Sequence, residues 1–172
     1  MKLSEAIVLK ARYEKELSKL YSKAQDLRVI LIQPGEDINE YIDENPDQIF
    51  EQIQNYNNAI ASLGALIRLA NESIIVETGS GKLRLSGMIN AAMSMRRLLK
   101  SLEEFASTPK RERINGYGDS ATLVRVATFD VEKYRQLAKE QKDDVEKLSA
   151  MIDTANTENE IEFDPSVFFK NN

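Results

Sequence analysis

Three residue types are missing from this sequence: cysteine, histidine and tryptophan. Without cysteine, the chain has no disulfides, thiolate nucleophiles, zinc knuckles or iron–sulfur clusters. Without histidine, it lacks the usual general base near neutral pH and the commonest metal ligand, which excludes Ser-His-Asp, Cys-His and His-x-x-x-His chemistries. An enzyme that used only Asp, Glu, Lys, Arg and Tyr fits the composition, but no spacing of paired carboxylates stands out. We therefore expect a non-enzymatic protein without a cofactor or a metal ion.

Proline and glycine are also scarce, with 4 and 7 residues in a chain of 172, which favours long uninterrupted elements. The net charge of −5 argues against binding to nucleic acid. No run approaches the ~18 apolar residues of a membrane span. Charges at Lys10, Arg12 and Glu14 interrupt any apolar stretch that could serve as a signal peptide. We expect a cytoplasmic protein that binds neither nucleic acid nor a membrane.

Four segments place apolar residues at alternating intervals of three and four, the pattern of helices that pack in a bundle or coiled coil. The predicted helices cover about residues 3–31, 45–71, 86–106 and 130–155. Their seams run through Leu3, Ala6, Lys10, Tyr13, Leu17, Leu20, Ala24, Leu27 and Leu31; Ile49, Ile53, Tyr56, Ile60, Leu63, Ile67 and Ala70; Met88, Ala92, Met95, Leu99, Leu102 and Ala106; and Tyr134, Ala138, Gln141, Val145, Leu148, Ile152 and Ala155. Only Lys10 breaks the apolar pattern of the first seam. Asn45, Ser86 and Asp130 are the expected N-caps of the last three helices.

The segment 73–85 changes to the shorter period of β-strands and predicts a hairpin that turns at Gly79-Ser80-Gly81. Gly79–Lys82 also invites comparison with a phosphate-binding loop. The hairpin turn is favoured, because that motif needs a Gly five positions before its second Gly and a Ser or Thr after its Lys. Here these positions are Val76 and Leu83. Residues 121–128 predict a third strand that joins the hairpin, after a polar loop at 107–120.

The predicted fold class is therefore mainly α. We expect an elongated antiparallel bundle of four long helices, with a small antiparallel β-sheet of hairpin plus one strand at one end. Residues 1–156 are predicted to form a single domain, with the hairpin at about 73–85 and the strand at about 121–128. The acidic linker 33–45 is expected to be solvated, with a divalent-cation site as the alternative. The C-terminal tail, 157–172, carries three phenylalanines that we expect to dock on the bundle or on a second subunit.

The main concentration of basic residues predicts a binding site for a small anionic ligand. Arginine can grip phosphate or carboxylate with two hydrogen bonds, and a tyrosine can stack on a base. If the predicted topology holds, the third helix, the polar loop and the third strand bring these residues together at the sheet end. A solvated charged surface is the alternative interpretation. The candidate ligand-binding residues are Arg96, Arg97, Lys110, Arg111, Arg113, Tyr117 and Arg125.

Several stretches, taken in order along the chain, resemble a known family. They are residues 1–6 with Arg12, the run Leu66–Asn71, the hairpin after it, and residues 128–131 followed by the last helix. In this order they resemble the septicolysin-like family of small bacterial proteins, to about Asn156. The resemblance implies a helical, non-enzymatic protein, and the family name implies a pore-forming toxin.

The sequence therefore leaves three functions open. The first is an oligomeric binding protein, expected to be a homo-oligomer, that holds a small anionic ligand such as a nucleotide at the sheet end. The second is a structural or protein-interaction module that binds its partner through the seams and the tail. The third is the septicolysin-like pore-forming toxin.

Overall fold

The computed structural model describes residues 1–29, 31–37, 45–79, 81–114 and 123–169. Most of the acidic linker lies outside these residues. The chain divides into two units. Unit 1 consists of Met1–Ile74 and Asn156–Asn172, and unit 2 consists of Ile75–Ala155.

Helices dominate both units, as the seams predict. The helices are α1 (Leu3–Asp26), α2 (Pro46–Ser73), α3 (Leu85–Ala106) and α4 (Val131–Glu158); the strands are β1 (Ile75–Thr78), β2 (Gly81–Arg84), β3 (Arg111–Ile114) and β4 (Leu123–Val126). A mainly α fold with small antiparallel sheets is thus confirmed. Within the described residues, no helix combines the length and the apolar character needed to cross a bilayer.

The predicted seams are the buried stripes of the helices. Every seam residue that lies within α1 to α4 is buried or half-buried. Leu3, Leu63 and Met88 are completely inaccessible to solvent. Complete burial of such a side chain contributes about 1.5–3 kcal/mol relative to leaving it in water. Two predicted caps are also confirmed: Asn45 Oδ1 accepts a hydrogen bond from the Asp47 amide at 2.9 Å, and Asp130 Oδ1 accepts one from the Glu132 amide at 3.0 Å.

The prediction that the first helix continues to Leu31 was wrong. The helix α1 ends at Asp26, with Leu27 as its C-cap. Leu31 is 99% exposed. A helix end is held mainly by tertiary packing of its apolar face, so a seam residue that packs against nothing does not extend the helix.

Unit 1 is built on the packing of α1 against α2. The helices run antiparallel: the ring centroids of Tyr13 and Tyr56 are 5.4 Å apart, and a Cβ added to Gly64 would lie 3.5 Å from Lys10 Cε. Phe169, from the C-terminal tail, completes the cluster at 5.2 Å from Tyr13 and 4.8 Å from Tyr56. The phenylalanine-rich tail therefore docks within its own chain.

The first residues of the chain form a short antiparallel bridge with residues 159–161 in the same unit. The Leu3 amide donates to the Asn159 carbonyl at 2.9 Å, and the Ile161 amide donates to the Met1 carbonyl at 2.9 Å. An ion pair of 2.7 Å between Lys2 Nζ and Glu160 Oε1 accompanies the bridge. The bridge fixes the start of α1 against the beginning of the tail and buries Ile161.

Unit 2 opens with the predicted hairpin, which is confirmed. β1 pairs antiparallel with β2, with Thr78 opposite Gly81. Gly81 has a φ of 129°, in the region that favours glycine. The helix α3 follows β2 directly, with Arg84 as N-cap. Ser86 is therefore not the cap, because the last residue of the strand already has the extended backbone that a cap needs.

The prediction of one sheet was wrong. β4 pairs with β3, in a second two-stranded sheet, and not with the hairpin β1–β2. The strand β3 lies inside the segment predicted as a polar loop. The two hairpins are attached to opposite ends of α3, which is about 33 Å long at 1.5 Å per residue. β3 begins five residues after the end of α3, so β4, which pairs with it, lies at the opposite end of α3 from β2.

The Phe169 contacts predict how unit 1 responds to loss of the aromatic ring. Phe169→Ala removes both ring contacts with Tyr13 and Tyr56, and we expect it to lower the free energy of unfolding by about 1–3 kcal/mol. Urea unfolding followed by circular dichroism would measure this. Val167→Ala, on the same tail but 66% exposed, is the matched control and should leave the midpoint almost unchanged. Equal midpoints for the two variants would contradict the docking of the tail.

The same cluster predicts a loss of stability at alkaline pH. Burial raises the pKa of Tyr13 above its ordinary value, Arg12 opposes the shift and Tyr56 adds to it. The raised pKa contributes stability that is present below the unfolded pKa of about 10 and is lost as the pH rises through the folded pKa. Tyr13→Phe should reduce this loss, measured as urea midpoints at neutral and at alkaline pH. Tyr21→Phe, which removes an exposed tyrosine of the same helix, should not reduce it.

Candidate functional site

Most of the predicted basic site lies on the hairpin β3–β4. The register pairs Arg111 with Val126, Glu112 with Arg125 and Arg113 with Val124. Lys110 precedes β3, and its carbonyl accepts a hydrogen bond from the Ala127 amide at 3.2 Å, so the ladder continues past the strands. All eight strand residues are exposed. The hairpin is thus a small two-stranded ribbon in contact with solvent.

Charged groups hold the base of this hairpin. Glu132, in the first turn of α4, accepts from Arg135 Nη1 at 2.7 Å, and its Oε1 lies 3.1 Å from Lys110 Nζ. Arg135 Nε also donates to the carbonyl of Ala106 at 3.2 Å, at the C-terminal end of α3. A cation at this position is favoured by the partial negative charge of the helix end. One carboxylate therefore joins the start of the hairpin to both helices.

Aromatic rings pack at the same place, where the base of the hairpin meets the end of α3 and the start of α4. This place is called the junction below. Phe105, near the end of α3, stacks on Tyr134 of α4 with centroids 4.9 Å apart, and Phe129 lies 4.8 Å from Phe105. Such pairs contribute about 0.5–1.5 kcal/mol beyond the area that they bury. The junction is therefore apolar as well as charged, and the hairpin projects from a fixed base.

Two of the predicted ligand-binding residues are engaged in ion pairs. Lys110 pairs with Glu132, and Arg125 Nη1 lies 3.2 Å from Glu112 Oε2 across the strands. Exposed pairs of this kind contribute at most about 1 kcal/mol. An anionic ligand at Lys110 or Arg125 would therefore compete with a carboxylate of the same chain.

The strand register places the two remaining arginines together. Arg111 and Arg113 are two residues apart on β3, so they lie on the same face, about 7 Å apart along the strand. Directly opposite residues share a face, which adds Val126 and Val124. Within the described part of the chain, neither arginine has an ion-pair partner. This face, formed by Arg111, Arg113, Val124 and Val126, is called the arginine face below.

The helix arginines do not join this site. Arg96 Nη2 donates to Ser149 Oγ at 2.7 Å, on α4. Ser149 lies 17 residues beyond Glu132 along that helix, a distance of about 25 Å. Arg97 is exposed on α3, one residue further along. The expectation that these arginines converge with the basic loop was wrong for Arg96, because the loop follows the far end of α3. Tyr117 lies outside the described residues, together with Gly116 and Gly118.

The apolar side chains of the hairpin are exposed, a feature of the candidate site that the sequence did not reveal. The exposed fractions are 37% for Ile114, 67% for Leu123, 39% for Val124 and 55% for Val126. Residues 121–128 were predicted to be a strand, and strand apolar residues usually pack against a core. Their position on a ribbon that is exposed on both faces was not visible in the sequence.

The sequence matches no protein-family model and no curated protein. The structure is similar to the crystal structure of a functionally unknown conserved protein from Corynebacterium diphtheriae. The TM-score is 0.76, over 94% of this chain and 99% of that chain, with 19% sequence identity. At this identity the similarity shows the fold alone.

The junction predicts how Glu132 titrates. Hydrogen bonds from Lys110 and Arg135 hold the pKa of the Glu132 carboxyl below its ordinary value. Its contribution to stability is present above the unfolded pKa and is lost as the pH falls through the folded pKa. We expect Lys110→Gln to raise the pKa of Glu132, measured by NMR titration of the side-chain carboxyl carbon. Lys139→Gln, on the same helix as Glu132, is the control. An equal effect of both variants would contradict the role of Lys110.

Proposed function

We propose that this protein is a non-enzymatic binding protein and that it captures an acidic, extended segment of a partner protein on the hairpin β3–β4. The observation that carries the proposal is the arginine face, which combines two guanidinium groups without ion-pair partners in the described part of the chain and two exposed valines. The elongated antiparallel bundle that the seams predict would be the scaffold, and it remains a prediction.

The chemistry of the ribbon favours an extended partner. Within the described residues, no third strand pairs with β3 or β4, so each strand keeps an outer edge with backbone donors and acceptors. An added strand would use these groups, as in recognition by strand addition. A partner strand beside β3 that alternates acidic and apolar residues would place its carboxylates on the arginine face, next to Arg111 and Arg113. Its apolar residues would lie on the opposite face, which carries Ile114 and Leu123.

The hypothesis of a small anionic ligand concerns the same two arginines. It is the weaker candidate, because small-molecule sites are usually concave and bury most of the ligand, whereas all residues of this ribbon are exposed. The pore-forming alternative rests on the resemblance to the septicolysin-like family alone. Membership of that family remains a proposal too.

A peptide-binding experiment tests the proposal. The probe is a fluorescent peptide that alternates glutamate with valine, and the readout is fluorescence anisotropy. We expect binding that weakens with salt, and a loss of at least about tenfold in affinity for Arg111→Glu with Arg113→Glu, because like charges then oppose the peptide. The control variant, Arg97→Glu with Lys100→Glu, changes the net charge equally on the exposed surface of α3 and should bind as the unchanged protein does.

Three results would contradict the proposal. One is an affinity that the hairpin variant leaves unchanged. Another is equal binding of a peptide that alternates lysine with valine. A third is a thermal shift with ATP that disappears in the hairpin variant while the acidic peptide fails to bind, since this would favour the small anionic ligand.

A further inference from the structure

A second surface of the chain, in unit 1, has the character of a contact between two copies. The helices α1 and α2 leave a groove between them with a cavity of about 670 Å³. Its walls are mainly apolar, and small residues line part of it. The lining includes Ile7, Ala11, Ile60, Ala61, Gly64 and Ile67. Ile7 is 40% exposed, and Ala11 and Ala61 are exposed as well.

The groove also contains charges of both signs. Lys10 and Glu14 form an ion pair one helical turn apart on α1, and Arg68 lies on α2. A groove that bound a foreign segment of one charge sign would carry side chains of the opposite sign only. Mixed charges fit a surface that must be complementary to itself, as a two-fold dimer requires.

The positions of these charges have the symmetry of such a dimer. Lys10 and Gly64 lie at one level, since a Cβ on Gly64 would lie 3.5 Å from Lys10 Cε. Glu14 is four residues beyond Lys10, and Arg68 is four residues beyond Gly64. Because the helices are antiparallel, these two residues lie about 6 Å from that level in opposite directions.

We propose that a second copy of this chain docks in the α1–α2 groove about a two-fold axis at the level of Lys10 and Gly64. The rotation places Glu14 opposite Arg68 of the partner subunit, and Arg68 opposite the partner's Glu14. It also places the end that carries Ile7 and Ile67 against the partner's Ile60. Lys10 lies near the axis, where its ion pair with Glu14 in the same chain reduces repulsion between the two copies.

The small residues suit this packing. The exposed Ala11 and Ala61 let the helices of a second copy approach closely, and the isoleucines then fill the space beside them. The result would be four helices, two from each copy, with their apolar surfaces removed from water. The inference uses unit 1 alone and does not depend on the hairpin of unit 2.

Charge-swap variants of the full chain test the proposal by sedimentation equilibrium. We expect the unchanged protein to form dimers. Glu14→Arg places two arginines opposite each other at both ends of the groove, and Arg68→Glu does the same with two glutamates. Each variant alone should dimerise at least about tenfold more weakly. An equimolar mixture should recover the dimer, because the arginine introduced in one variant then meets the glutamate introduced in the other.

Recovery of the dimer in the mixture would distinguish the proposed pairing of Glu14 with Arg68 from a general effect of charge and from misfolding. Both positions are exposed, and circular dichroism would verify that each variant is folded. Lys15→Glu, next to Glu14 but outside the lining of the groove, should dimerise as the unchanged protein does. A monomeric unchanged protein at all concentrations would overturn the proposal, as would a monomer that binds a foreign helix. Variants that still dimerise alone, or a mixture that stays monomeric, would overturn the proposed axis.

Discussion

In unit 1, an antiparallel bridge sets the position of the C-terminal tail on the packed helices α1 and α2. Residues 1–3 meet residues 159–161 through backbone hydrogen bonds, with the ion pair between Lys2 and Glu160 beside them. Hydrogen bonding from Lys2 holds the pKa of the Glu160 carboxyl below its ordinary value. Each backbone hydrogen bond contributes only about 0.5–1.5 kcal/mol. Their importance is geometric, because they fix where the tail starts along α1 and hence where Phe169 reaches Tyr13 and Tyr56.

Unit 2 is an insertion within the sequence of unit 1. The chain leaves unit 1 after α2 and returns to it in the last turn of α4. The entropic cost of closing such a long loop grows only slowly with its length. A small set of contacts can therefore join residues 1–3 to residues 159–161 across a long intervening segment.

Each of the two units leaves apolar side chains exposed, but the surroundings of these side chains differ. In unit 2, a carboxylate, two cations and three aromatic rings hold the base of a hairpin whose apolar residues remain in solvent. In unit 1, a groove between two helices leaves Ile7 exposed and Ile60 and Ile67 half-buried, beside charges of both signs. Both arrangements leave apolar surface in water, and covering this surface would lower the free energy. The proposed strand addition and the proposed self-association are each a way to cover it.

The sequence by itself determined the helices, most of their boundaries and their buried faces. Seam residues such as Leu63 and Met88 are predictable because burial follows the local period of the chain. The caps at Asn45 and Asp130 are predictable for the same reason, since a cap acts within three residues. The hairpin β1–β2 is equally local, because its turn requires glycine at residue 81.

Only the tertiary structure decided which distant elements meet. The strand β4 pairs with β3, Arg111–Ile114, a segment predicted to be a polar loop. The sequence did not identify β3, because its four residues lack the alternation of polar and apolar residues that marks a strand. Arg96 contacts Ser149 of α4 and not the basic loop, since ten residues of α3, about 15 Å, separate Arg96 from the end of the helix. The tail docks on Tyr13 and Tyr56 through contacts that join residues more than a hundred positions apart. Such contacts depend on three-dimensional geometry, and no local period of the sequence encodes them.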